Sequence, residues 1–116
     1  MNAEEARKQA DNAYANFFQN ELEPYVNKLM PSILERIELR TIDKKYNVNI
    51  AIHLKRLYDN SPSNTRYKRI KEDALLLLFA QLEGKGYQVR VRTEAMVLSK
   101  ILWKYEVKSQ LIRISW

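Results

Sequence analysis

The apolar and polar positions of this chain change period three times. Over residues 3–37 the apolar side chains recur every three or four positions. Ala3, Ala6, Ala10, Ala13, Tyr14, Phe17 and Phe18 come first, then Leu22, Val26, Leu29, Ile33, Leu34 and Ile37. That spacing lines one face of a helix. Pro24 and Pro31 fall inside the pattern, each removing a backbone donor and crowding the preceding turn. The expectation is therefore two helices, over 3–21 and 24–39, with a break or kink near Pro24, which can open the second. Asn2 is a suitable cap for the first, with Glu5 three residues on.

After a polar connection over 41–46 the period drops to two. Val48, Ile50, Ile52 and Leu54 alternate with Asn47, Asn49, Ala51 and His53, a strand signal for a sheet covered on one face. Residues 55–66 contain Asn60-Ser61-Pro62-Ser63-Asn64 and read as a loop. The helical period returns over 70–83 in the most apolar segment of the chain, with Ile70, Ala74, Leu77, Leu78 and Leu82 on one face and Leu75, Leu76 and Phe79 widening it. Gly84-Lys85-Gly86 stops that helix, because glycine takes the left-handed conformation without a Cβ clash. Tyr87, Val89 and Val91 then alternate with Gln88, Arg90 and Arg92, a second strand. Residues 93–100 are open between a short helix and the end of a bent strand. Alternation over 101–108 and again at Ile112, Ile114 and Trp116 predicts a third and a fourth strand.

Helices followed by strands define an α+β class: N-terminal helices and a central helix packed on a mainly antiparallel sheet of three or four strands. The length of 116 residues points to a single domain, 1–116, with an ordinary hydrophobic core. It divides into an acidic helical segment, 1–39, and a basic strand-helix-strands segment, 40–116. Residues 1–35 carry a balance of −3 and residues 36–116 one of +9, for a net charge of +6. Such asymmetry fits an anionic partner facing the C-terminal part. The chain has no cysteine, which excludes disulfides and thiolate metal sites. No apolar run reaches membrane length and the acidic N-terminus is unlike a signal peptide, so the expected setting is the cytoplasm or a virion, without a membrane partner.

The chemistry of catalysis is not found. The sole histidine, His53, lies on the polar side of a strand beside Asn47 and Asn49. The two glycines follow a helix, whereas a phosphate loop precedes one. Glu72-Asp73 is the one adjacent acidic pair in the basic segment, and its position early in the central helix accounts for it through pairing with Lys68 or Arg69. A non-enzymatic protein with no cofactor and no small-molecule substrate is expected.

Two surfaces remain. The stripe of Ala6, Ala10, Ala13, Tyr14, Phe17 and Phe18 is wider than one small sheet can cover, and predicts contact with another protein or a second copy of the chain. The alternative is nucleic acid. If Tyr87, Val89, Val91, Ile112, Ile114 and Trp116 face the helices, then Arg90, Arg92 and Arg113 share the opposite face with Gln88, Ser115, Asn47, Asn49 and His53, a surface suited to phosphates. Arg66, Lys68 and Arg69 form a second basic cluster with Tyr67 and Lys71 where the loop enters the central helix. Exposed aromatics for base stacking are few, with Tyr67, Tyr46 and Tyr58 the candidates.

Three short passages resemble a known group. L-E-G-K-G-Y-Q-V over 82–89 resembles the L-x-x-x-G-Y-x-V passage of small, uncharacterised tailed-phage proteins, and the terminal I-R-I-S-W resembles their frequent C-terminal I-S-W. Their alanine-spaced acidic opening, followed by E-L-E and an isoleucine-spaced helix, is similar to residues 3–37 here, including Glu21-Leu22-Glu23. The chain departs from them by extra material over 93–110. The resemblance implies a phage or prophage origin and carries over no activity and no functional residues. On this reading the protein is a virion component or a modulator of a host factor, working by protein contact, with nucleic-acid binding as the alternative.

Overall fold

Residues 3–42 form one continuous helix in the computed structural model, which describes residues 1–92 and 109–116. Helix α1 (Ala3–Phe17) runs through a π-helical turn (Phe18–Leu22) into α2 (Glu23–Ile42), so the expected break near Pro24 is replaced by a widened turn. In a regular α-helix the Pro24 ring would meet the Asn20 carbonyl one turn back. The π turn instead lets the Glu23 N–H donate to the Phe18 carbonyl, five residues back, and absorbs the conflict without ending the helix. Pro31 also sits within α2. It and Asn27, whose carbonyl it leaves without a helical donor, are both exposed, so the missing bond lies on the solvent side of the helix. Forty residues at a rise of about 1.5 Å span about 60 Å, and the molecule measures 60 × 35 × 18 Å along its principal axes.

Asn2 caps α1 by accepting from the Glu5 N–H at 2.8 Å. At the other end of the long helix Lys44 takes a left-handed conformation (φ 59°). The Lys45 N–H reaches the Arg40 carbonyl at 3.0 Å and the Lys44 N–H reaches Thr41 at 2.9 Å, the paired bonds of a Schellman turn. Strand β1 (Asn47–His53) follows, then a short helix α3 (Lys55–Asp59) within what the sequence suggests is loop. Helix α4 (Tyr67–Gly84) starts three residues earlier than its apolar period. It ends in a second Schellman turn with Gly86 (φ 93°) in the left-handed position, and β2 (Gln88–Arg92) leaves from it.

Strand β3 (Ser109–Ser115) lies in the middle of an antiparallel three-stranded sheet of order β1-β3-β2. Thus the fold is α+β, with the helices on one face of the sheet. The expected strand over 101–108 and the open choice over 93–100 fall outside the described residues. Val48, Ile50, Ile52, Ile112 and Ile114 meet Leu22, Val26, Ile33 and Ile37 of the long helix and Ile70, Ala74, Leu78 and Leu82 of α4 in a single core. Val91, expected on that face, is 49% exposed, since it lies on the outer strand near its end.

The register shows how α2 protects the sheet. Even-numbered residues of β1 pair with β3, as the Trp116 N–H to Tyr46 carbonyl bond of 3.0 Å indicates, so odd-numbered carbonyls face the open edge. Arg40 Nε donates to the Asn47 carbonyl at 2.9 Å, Arg36 to Asn49 at 3.3 Å, and the Tyr25 hydroxyl to His53. An edge whose acceptors are already engaged is a poor template for another strand.

Candidate nucleic-acid interface

The side of the sheet away from the helices is built by strict alternation. Cross-strand register sets Asn47, Ser115 and Gln88 in one row, an amide, a hydroxyl and an amide. The next row on the same face is Asn49, Arg113 and Arg90, and the third is Ala51, Leu111 and Arg92. Rows on one face are two residues, or about 6.7 Å, apart along the strands. None of these side chains is buried, and none of the described strands contributes an aspartate or glutamate. Arg90 stands directly opposite Arg113, an arrangement of like charges that works against sheet stability. A shallow depression lined by Gln88, Arg90, Val91, Arg92, Arg113 and Ser115 runs across this region.

Gln110 is the one buried polar side chain among the described residues. Its amide nitrogen donates to the Arg92 carbonyl at 2.7 Å and to the Leu111 carbonyl at 3.0 Å. This fixes the backbone of β2 beside β3 where Arg92 emerges.

The second basic cluster does not join this face. Arg66, Lys68 and Arg69 are at the start of α4, in the helical layer behind the sheet. Lys68 pairs with Glu72 at 3.8 Å, and the Arg69 guanidinium lies over the Tyr14 ring, 3.6 Å from its centroid. Asp73, the other member of the acidic pair, accepts a hydrogen bond from the Tyr14 hydroxyl. Burial, with the Asp73 hydrogen bond and charge adding to it, pushes the Tyr14 hydroxyl well above its ordinary value of 10.0, while Arg69 acts in the opposite sense. Burial raises Tyr25 and Tyr67 in the same direction.

The aromatic half of the N-terminal stripe is used within the fold. Tyr14 is 6% exposed and Phe17 is 5% exposed, and Phe18 packs partly buried against the same core. Ala6, Ala10 and Ala13 are exposed, as is every other residue from 1 to 13. The first three turns of α1 are thus exposed, and Ala6, Ala10 and Ala13 line an open depression with Pro62, Ser63, Asn64 and Thr65. Of the three tyrosines considered for stacking, Tyr58 and Tyr67 are partly buried and meet edge to face at 5.9 Å. Tyr46 is 70% exposed.

Sequence reasoning missed the clamp of Tyr14, Arg69 and Asp73, whose members are up to 59 residues apart. It also missed the caps from Tyr25, Arg36 and Arg40, although a four-residue spacing of arginines on a helix preceding an edge strand is a usable signal. Comparisons with protein-family models, curated proteins and solved structures find no match for this chain. No described helix is long and apolar enough to cross a membrane.

Proposed function

We propose that this is a non-enzymatic binding protein that holds the phosphate backbone of a nucleic acid on its open sheet face. One observation carries the reading: Arg90 and Arg113 lie directly opposite one another on a face whose described strands bear no carboxylate. A like-charged cross-strand pair costs stability in the free protein. A polyanion laid across it converts that repulsion into charge-assisted hydrogen bonds, since a guanidinium offers a planar fork to phosphate oxygens. The amide and hydroxyl row of Asn47, Ser115 and Gln88 supplies neutral donors beside it.

The test is a fluorescence titration with labelled oligonucleotides at several salt concentrations. If Arg90 and Arg113 each neutralise one phosphate, log K falls with log salt at a slope of about −1.4 on a single strand and about −1.8 on a duplex. Replacing either of them by alanine should reduce the slope by about 1. Absence of binding at low salt would refute the proposal.

A second reading is contact with another protein, or with a second copy, through α1. It is favoured by the exposure of residues 1–13; for a phage-type protein it would mean a virion component or a modulator of a host factor. The internal use of Tyr14 and Phe17 leaves that stripe with alanines and the partly buried Phe18, which is why the arginine face is preferred.

A further inference from the structure

The outer face of α2 is apolar at one end and concave at the other. Lys28, Pro31, Ser32, Glu35, Leu39 and Ile42 recur every three or four residues, away from the buried Val26, Met30, Ile33 and Ile37, and all six are exposed. Leu39 and Ile42, one turn apart, leave 56% and 69% of their surface in water. Towards the start of the helix a cavity of about 430 Å³ opens between the π turn, α2 and α3. Pro24, Leu29 and Leu57 give it apolar walls, and Lys28 lines it as well.

The charges of this face are unmatched within the chain. Among the described residues neither Lys28 nor Glu35 enters an ion pair. Seven positions keep them apart, about 10 Å along the axis. Arg36 and Arg40 are engaged elsewhere, donating to the Asn49 and Asn47 carbonyls at the β1 edge. The stripe thus carries one free cation, one free anion, an exposed aliphatic pair and an apolar cavity.

We infer that two copies of the chain pair through this face, α2 against antiparallel α2, about a two-fold axis passing between Pro31 and Ser32. Such an axis carries each residue to the opposite end of the contact on the same side, so the surface must complement itself. It does. Lys28 meets Glu35 of the second copy, and the symmetry makes that pair twice. Pro24 and Leu39 lie equally far from the axis, about 11 Å, so Leu39 of each copy reaches the cavity of the other. Fourteen positions, just under four turns, separate Tyr25 from Leu39, so Leu39 leans to the side on which Tyr25 lines that cavity. Glu21 comes beside the end of the second copy's α2, where Lys44 and Lys45 are exposed. Sliding the helices by one turn in either direction separates both Lys28–Glu35 pairs and takes Leu39 off the cavity. Ser32 at the crossing is small enough for axes about 8–10 Å apart. One helix pair covers less than the roughly 800 Å² per partner of a standard interface, so the dimer is a weak one, with Kd in the micromolar range. The arginine face lies on the other side of the sheet and takes no part.

Sedimentation velocity of the full chain over a series of concentrations, without nucleic acid, tests the pairing. The wild type should show a monomer–dimer equilibrium. Glu35→Lys sets lysine against Lys28 and should weaken the dimer by about tenfold or more, as should Lys28→Glu. The two changes together restore opposite charges across the axis and should recover the dimer. Leu39→Asp should abolish it. All three positions are exposed, so circular dichroism should show each variant folded. A chain that stays monomeric throughout, or a dimer indifferent to Glu35→Lys and Leu39→Asp, would overturn the inference. So would a double variant no better than the single ones. A dimer broken by Ala10→Arg alone would place the contact on α1 and overturn it too.

Discussion

Replacing Tyr14 by phenylalanine removes one oxygen and tests how the long helix is held to the body. The ring remains, so the burial of Tyr14 in the core and the 5.8 Å contact with Phe17 are retained. The Arg69 guanidinium can still lie over the ring, a contact of about 0.5–1 kcal/mol. The loss is the hydrogen bond to Asp73. Bonds to charged groups contribute about 1.5–3 kcal/mol. Asp73 is only partly buried, so water recovers some of that. The expected destabilisation at neutral pH is about 1–2 kcal/mol. For a domain of this length that lowers Tm by roughly 3–10 °C. The same variant has a pH signature. The folded-state pKa of Tyr14 lies above its unfolded value of 10.0. Its contribution is therefore complete below pH 10 and is lost as pH rises through the folded value. Between these limits the native state binds the extra proton, and stability falls by up to about 1.4 kcal/mol per pH unit for this group. Tyr14→Phe should be less stable than wild type at pH 7, and the gap should narrow above pH 10. Urea unfolding followed by circular dichroism at both pH values measures it. A gap that is absent at pH 7, or that widens in alkali, would refute the clamp.

Other consequences follow from the helix ends and the exposed first turns of α1. Gly86→Ala places a Cβ at φ 93° and should cost about 1–2 kcal/mol. Gly84→Ala, where an added methyl meets no atom within 4 Å, should stabilise α4 by up to about 1 kcal/mol, and chemical denaturation separates the two. Lys44→Gly relieves a left-handed lysine at the end of α2 and should raise stability by up to about 1 kcal/mol. Deleting residues 1–12, all exposed, should shift Tm by only a few degrees, since Tyr14 and Phe17 remain to anchor the helix. Arg36→Ala with Arg40→Ala uncovers two carbonyls of the β1 edge and should promote association, visible by light scattering.

Much of the fold is written in the period of the chain. Val48, Ile50 and Ile52 alternate so regularly that strand and buried face are both legible, and Arg113 follows from Ile112 and Ile114 in the same way. The continuity of residues 3–42 is not legible, because Pro24 normally argues for a break and a π turn has no distinctive composition. The five-residue α3 is too short for a helical period to register. The burial of Tyr14 and Phe17 depends on how far α4 reaches, which is set by partners such as Arg69 and Asp73 far along the chain. For the candidate site, the shared face of Asn49, Arg90 and Arg113 is readable from alternation. Their alignment in one row requires the register, which no local pattern contains. Tyr46 could be read only as exposed, because its neighbour Trp116 is 70 residues away.

The most direct test of the central claim is a residue-resolved amide chemical-shift map of the labelled protein titrated with a short oligonucleotide. It compares both candidate surfaces in one sample. Shifts centred on Asn49, Arg90 and Arg113, with residues 1–13 unmoved, are the predicted result. Shifts confined to residues 1–13, or none at low salt, would contradict the account.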